Sequence, residues 1–178
     1  MAVTNWNLDV VHSSAEFSVK HLGFSPFRGR FKALDGAVVF DEDNPANSTV
    51  TANIDVKSID LVGERFVGHM LGADFFKADE YPNISFVSKN VKVDGTKWAI
   101  AGDLTLVGQT REVTLEAEYL GQGKHPFAPR MVAAWTAKTS FKRSDFGISW
   151  NVPMENGLFY VGDEIIVEIV IEAARPSE

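Results

Sequence analysis

Apolar and polar residues alternate with a period of two along most of this 178-residue chain. An extended strand turns such a pattern into one apolar face and one wet face. Ala15, Phe17, Val19 and His21 share one parity, against Glu16, Ser18 and Lys20. Phe27, Gly29, Phe31 and Ala33 oppose Arg28, Arg30 and Lys32, and Val50, Ala52, Ile54 and Val56 oppose Thr51, Asn53, Asp55 and Lys57. Ile84 and Phe86 lie on one parity while Val91 and Val93 lie on the other, so a bulge is expected near Lys89-Asn90. Further rows are Trp98 to Leu106, Val113 to Tyr119, Met131 to Phe141, and Ile165 to Ile171 set against Glu164, Glu168 and Glu172. Ser13-x-x-Glu16 has the form of a helix capping box, but the alternation running through it rejects a helix there.

Turn signals at Asp43-Asn44-Pro45, Asp94-Gly95, Gly108-Gln109 and Gly121-Gln122-Gly123 separate the rows. Two of them, Asp94-Gly95 and Gly108-Gln109, read as hairpins, which makes their flanking strands antiparallel neighbours. One segment breaks the rhythm. Val62, Phe66, His69 and Met70 recur at helical spacing, giving a short amphipathic helix over about 60–71. About eight antiparallel strands leave a closed barrel or a two-sheet sandwich. Several strands read as roughly 10–13 residues, longer than usual, and long strands with one apolar face suit a barrel around a deep cavity. The expectation is an all-β chain, a single extended eight-stranded antiparallel barrel domain over residues 1–178.

Composition removes several functions. No cysteine is present, so thiol nucleophiles, disulfides and Cys-rich zinc sites are absent. The 17 basic and 24 acidic side chains leave a net charge of −7, the wrong sign for a nucleic-acid partner. No tract approaches the ~18 apolar residues of a membrane span, and no basic amphipathic patch marks a membrane-binding face. Met1-Ala2-Val3-Thr4 shows neither the basic start nor the apolar run of a signal peptide. The expected location is cytoplasmic as written, and periplasmic if a leader was removed.

Catalytic signals are weak. The four histidines, His12, His21, His69 and His125, include no pair at zincin spacing, and ordinary hydrogen bonding at a barrel rim accounts for them. No nucleophile elbow or phosphate loop occurs. The carboxylate pairs Asp41/Asp43 and Asp79/Glu80 read as turn residues. The aromatics carry more: thirteen Phe, four Trp and three Tyr, many on the inward parity. Packing alone accounts for any single ring, but as a set they suit a tunnel for an elongated apolar ligand. Arg143 follows Phe141 in parity near a strand end; it either binds an anionic head group or pairs with Asp145 or Asp74.

The ordered motifs resemble the YceI-like, or polyisoprenoid-binding, family. The carrying residues are Trp6-x-Leu8-Asp9-x-x-His12-Ser13-x-x-x-Phe17-x-Val19-x-His21 and Arg28-Gly29-x-Phe31. His69-Met70-x-x-x-Asp74-Phe75-Phe76, Tyr81-Pro82-x-Ile84-x-Phe86-x-Ser88 and Gly102-x-Leu104-x-Leu106-x-Gly108-x-Thr110-Arg111 follow. Arg143-x-Asp145-Phe146-Gly147-Ile148 and Val161-Gly162-Asp163 close the series, which covers roughly Trp6 to Glu172. The resemblance implies a lipocalin-like barrel with a long lipophilic channel holding an isoprenoid quinone, a polyprenyl phosphate or another long amphiphile, and homodimers are common in the family. The chain departs from the family where an Arg-Asp pair usually precedes the helix histidine: Phe66-Val67 stands there.

The leading expectation is therefore a non-catalytic carrier of a long-chain isoprenoid or acyl lipid, requiring no cofactor. Phe17, Val19, Phe31, Phe86, Trp135 and Phe141 would line the channel, Phe75, Phe76 and Phe146 would lie near its ends, and His12, His21 and Arg143 are head-group candidates. The alternatives are a hydrolase or isomerase using His12 or His21 as general base at the channel mouth, and a solid barrel acting through its surface.

Overall fold

The computed structural model describes residues 3–176, so Met1 and Ala2 of the amino terminus read above, with Ser177 and Glu178, lie outside it. Eleven strands form one antiparallel sheet. They are β1 (Val3–Leu8), β2 (Ser14–His21), β3 (Ser25–Phe31), β4 (Leu34–Asp41), β5 (Thr49–Asp55) and β6 (Ile59–Asp60). After helix α1 (Glu64–Leu71) come β7 (Asn83–Asp94), β8 (Lys97–Leu106), β9 (Gln109–Lys124), β10 (Arg130–Lys142) and β11 (Val161–Pro176).

One strand closes the sheet. β11 pairs with β10 along one edge, and along the other it pairs first with β2, up to Val170↔Ser14, and then with β1 at Leu8↔Ala173 and Asn7↔Ala174. β1 and β2 thus run end to end as one stave, interrupted at residues 9–13. Beside them β3 lies on β2 and β4 on β1, forming a second broken stave. β5 and β6, joined by the 3-10 turn Val56–Ser58, form the third. With β7 to β11 the eleven segments make an eight-stave closed barrel, as the alternation leads one to expect. Closure through β11 joins the two sides of the sheet, although residues 25–29 of β3 have no strand partner among the described residues on the side away from β2. β9 and β11 have 16 residues each, roughly 50 Å of strand, so the barrel is elongated.

The expected bulge is present as a register shift between Ser88 and Asn90, which returns Val91 to the interior. Asp94-Gly95 lies in the β7–β8 hairpin, and Val107-Gly108 makes the β8–β9 turn, with Leu106 opposite Gln109. Gly121-Gln122-Gly123 is not a turn. Pairing continues through it to Lys124↔Met131, and Gly121, at φ 127°, falls where the β9–β10 register shifts. The helix is also shorter than its periodicity suggests. Ile59 and Asp60 pair with β3, Arg30 donates from Nε to Asp60 Oδ2 at 2.9 Å, and Gly63 at φ 98° breaks the chain before Glu64. Val62, assigned by its spacing to the apolar helix face, therefore projects into solvent.

Two apolar clusters pack against the cavity. At the floor, Phe40, Trp98, Tyr119 and Trp135 pack ring on ring, with centroids 5.3–6.2 Å apart. Fully buried Trp6 joins the same cluster, its Nε1 donating to Thr4 Oγ1 at 2.8 Å and its ring lying under the Arg175 guanidinium. The second cluster gathers Phe31, Val56, Phe75, Phe146 and Ile148 behind α1. Gly36 in β4 has φ 149°, and a Cβ there would collide with the Thr51 carbonyl oxygen across the ladder. Gly36→Ala is expected to lower stability by about 2 kcal/mol, read by urea unfolding, because both the dihedral and the backbone contact oppose it.

Candidate ligand cavity

The inward rows of the barrel enclose a cavity of about 710 Å³, within the range of small-molecule sites. Its walls follow the period of two: Ala15, Phe17, Val19 and His21 from β2, Ile165, Val167, Ile169 and Ile171 from β11, and Trp135, Ala137, Thr139 and Phe141 from β10. Ala52, Ile54, Phe86, Ile100, Leu104 and Leu115 complete the opposite wall. Trp98 and Trp135 of the aromatic cluster form the floor, and the Trp135 Nε1 is buried there without a hydrogen-bond partner. Nearly everything offered to a ligand is hydrocarbon or aromatic ring.

The polar groups gather at the mouth. His21 packs edge-on against Tyr160 at 4.8 Å, and His69 of α1 packs edge-on against Phe75 and Trp150 at 5.1 and 5.0 Å. His69 Nε2 lies 3.0 Å from Asp74 Oδ2, tying the helix to the segment that follows it. Phe66, from the pair that departs from the family pattern, lines the cavity and meets Phe27 edge-on at 5.3 Å, while Val67 packs on the second cluster.

Ten of the twelve residues singled out in the sequence line this cavity: Phe17, Val19, His21, Phe31, Phe75, Phe76, Phe86, Trp135, Phe141 and Arg143. Two do not. Phe146 is buried behind the wall, its ring 5.1 Å from that of Phe141, because the 3-10 turn Arg143–Phe146 directs it into the second cluster. His12 sits in the interruption between β1 and β2, outside the cavity, with Nδ1 3.2 Å from Asp9 Oδ2 and 3.6 Å from Glu172 Oε1. Among the described residues this is the one trio spaced for a metal ion, but Arg130 Nη1 already lies 3.4 Å from the same Asp9 oxygen and supplies the positive charge. Burial pushes the Asp9 carboxyl up; hydrogen bonds from the His12 side chain and from the Val11 and His12 amides more than offset it, leaving its pKa low.

Arg143 departs from both sequence expectations. It is 5% exposed and pairs with neither Asp145 nor Asp74. Its Nε and Nη1 donate to the Gly162 and Ile148 carbonyls at 2.9 Å, and its Nη2 reaches the Val161 carbonyl at 3.4 Å. Burial lowers its pKa from the ordinary value, and Asp163 partly counteracts this. Asp163 itself accepts from the Ser144 amide and hydroxyl at 3.0 and 2.7 Å. The arginine therefore clamps the start of β11 to the 143–148 turn. Three mouth residues, Trp150, Val152 and Tyr160, have no counterpart among the sequence candidates: they lie in the irregular stretch before β11, where no periodicity marks a face. Arg143→Met removes the guanidinium donors to the Gly162 and Ile148 carbonyls, while the Val161 carbonyl keeps its bond from Asn151 Nδ2 at 2.7 Å, and is expected to cost about 3 kcal/mol in thermal or urea unfolding.

Known proteins resemble this chain in sequence and fold. The YceI-like domain model matches residues 6–173. Protein YceI of Shigella flexneri is 41% identical over 137 residues, which cover 77% of this chain and 71% of that protein. The crystal structure of Burkholderia cenocepacia BcnA superposes with a TM-score of 0.76 at 25% identity, covering 93% of this chain and 98% of that one. A polyisoprenoid binding domain from Saccharophagus degradans superposes at 0.65 and 18% identity, covering 96% and 98%, and shares the fold. With the family model running from Trp6 of β1 to Ala173 of β11, across every stave that encloses the cavity, the chain belongs to the YceI-like domain family.

Proposed function

We propose that the protein is a non-catalytic carrier that holds the chain of a long amphiphilic lipid, an isoprenoid quinone or a related polyprenyl or acyl lipid, inside the barrel. The observation that carries this reading is a roughly 710 Å³ cavity whose lining is almost entirely apolar and whose polar groups collect at one end. Each methylene buried there contributes about 0.8 kcal/mol, so a long chain binds tightly with no covalent step. That the Saccharophagus degradans neighbour is a polyisoprenoid binding domain agrees with this class of ligand. His21 and Tyr160 are the head-group contacts at the mouth; Arg143, spent on three carbonyls, keeps that end in shape.

Native mass spectrometry with lipid extraction tests the proposal. The purified protein is expected to carry a lipid or to take up an isoprenoid quinone, and a lipid-free sample that binds no quinone overturns the reading. Ala137 faces the middle of the cavity, so Ala137→Trp is expected to weaken quinone binding at least tenfold while the barrel stays folded.

The hydrolase or isomerase alternative now rests on His21, since His12 lies off the cavity. It is separated by the fate of the lipid. A carrier returns it with unchanged mass and retains binding in His21→Ala, whereas turnover abolished by that substitution identifies an enzyme.

A further inference from the structure

We propose that the mouth of the barrel docks on a zwitterionic lipid bilayer, placing the exposed side chains of Phe24, Val62, Phe66, Leu158 and Phe159 in its interfacial layer. The inference rests on the carrier reading and adds the surface through which cargo enters and leaves. Val62 is 97%, Phe24 70% and Phe159 56% exposed, bare apolar side chains on the segments that border the opening.

These residues belong to three segments held against one another. The Leu22 amide donates to the Tyr160 carbonyl at 2.9 Å, joining the β2–β3 turn to the 152–160 loop. The same two segments touch at Gly23, where even a Cβ would meet Leu158 Cδ1 at 2.5 Å. The Phe27–Phe66 contact joins the β2–β3 hairpin to α1. Phe66, Val152 and Tyr160 belong both to this rim and to the cavity lining, so a chain sliding outward stays on apolar surface until it passes the exposed ring of residues.

Two physical arguments select the occupant. Each methylene that must enter water slows the escape of a bound chain about fourfold, so a long lipid exchanges by contact with another apolar phase rather than through solution. The segments of the mouth carry both signs, Lys20, Arg28 and Arg65 on β2, β3 and α1 with Glu64 on α1 and Glu155 in the 152–160 loop, on a protein of net charge −7. That balance gives no attraction to an anionic leaflet and leaves apolar insertion as the driving term.

The test is co-sedimentation of the full chain with phosphatidylcholine vesicles. Wild type is expected to bind, equally well at 0.1 and 0.5 M salt (on the order of one and several times physiological screening), and to gain nothing from added anionic lipid. The triple variant Phe24→Asp, Val62→Asp, Phe159→Asp is expected to lose at least tenfold in partitioning. Val62→Asp alone, at a position nearly free of contacts, is expected to lose several-fold and covers the case in which the triple variant misfolds. Val11→Asp with Phe127→Asp removes equally exposed apolar side chains near the opposite, Asp9–Arg130 end and is expected to leave vesicle binding intact.

Wild type remaining in the supernatant overturns the docking surface, as does a well-folded triple variant that binds like wild type. So does a wild-type dimer by light scattering that the triple variant dissociates, since the rim then belongs to a second copy. Quinone binding in detergent solution, measured in parallel, separates the two levels: protein that takes up quinone but ignores vesicles loses only the docking surface, and protein that takes up no quinone loses the carrier reading.

Discussion

The hydrogen-bonded seam between β11 and the broken stave β1–β2 is the constraint on which the molecule depends. A curved eight-stave sheet without it would expose two long edges and could not keep an apolar interior from water. The seam is made by residues at opposite ends of the chain, Leu8 with Ala173 and Ser14 with Val170. At the break between its two halves Ser13 both donates to the Glu172 carbonyl and accepts from the Glu172 amide, at 3.1 Å each, so the ladder is bridged by a side chain where the backbone departs from it. The conspicuous Asp9-x-x-His12-Ser13 motif serves this break, with Asp9 bonding the Val11 and His12 amides across the turn.

Given a closed barrel, the contents divide by height. Large rings at the floor interlock, whereas above them aliphatic side chains and the Phe17 and Phe86 rings leave space between them. A solid core would be easier to stabilise, since cavity walls forgo dispersion contacts. The closed hydrogen-bond network and the two dense clusters allow the middle to stay open. The mouth is the least regular part, and there a buried arginine supplies rigidity by bonding the Ile148, Val161 and Gly162 carbonyls.

Most of the wall was legible beforehand because a strand converts parity into facing. Phe17, Phe31, Phe86, Trp135 and Phe141 were assigned inward from spacing alone and lie on the cavity, and the parity switch after Phe86 located the bulge. Failures occurred where parity had no authority. His12, a head-group candidate that flanks the β2 row, sits in the interruption of a stave. Phe146 and Arg143 lie in a 3-10 turn, where three-residue geometry sends one ring into the second cluster and turns the guanidinium onto carbonyls. Gly121 carried a turn signal that pairing with β10 overrode. Trp150, Val152 and Tyr160, which with His21 and His69 shape the entrance, come from a stretch without any periodicity.

The amino-acid sequence by itself determined an antiparallel all-β barrel, the side of each strand that faces inward, the apolar character of the interior and, through its ordered motifs, the family. Those properties are local or nearly so: a side chain's facing depends on its neighbours two residues away, and hairpins on the residues in the turn. Tertiary structure alone decided that eleven segments merge into eight staves, that the floor is plugged and the other end open, that His12 is shut out, and that exposed apolar residues from three distant segments ring one mouth. Those outcomes depend on which remote backbone groups pair and how closely side chains from different staves approach. Such distances follow from closing the sheet, and no periodicity along the chain encodes them.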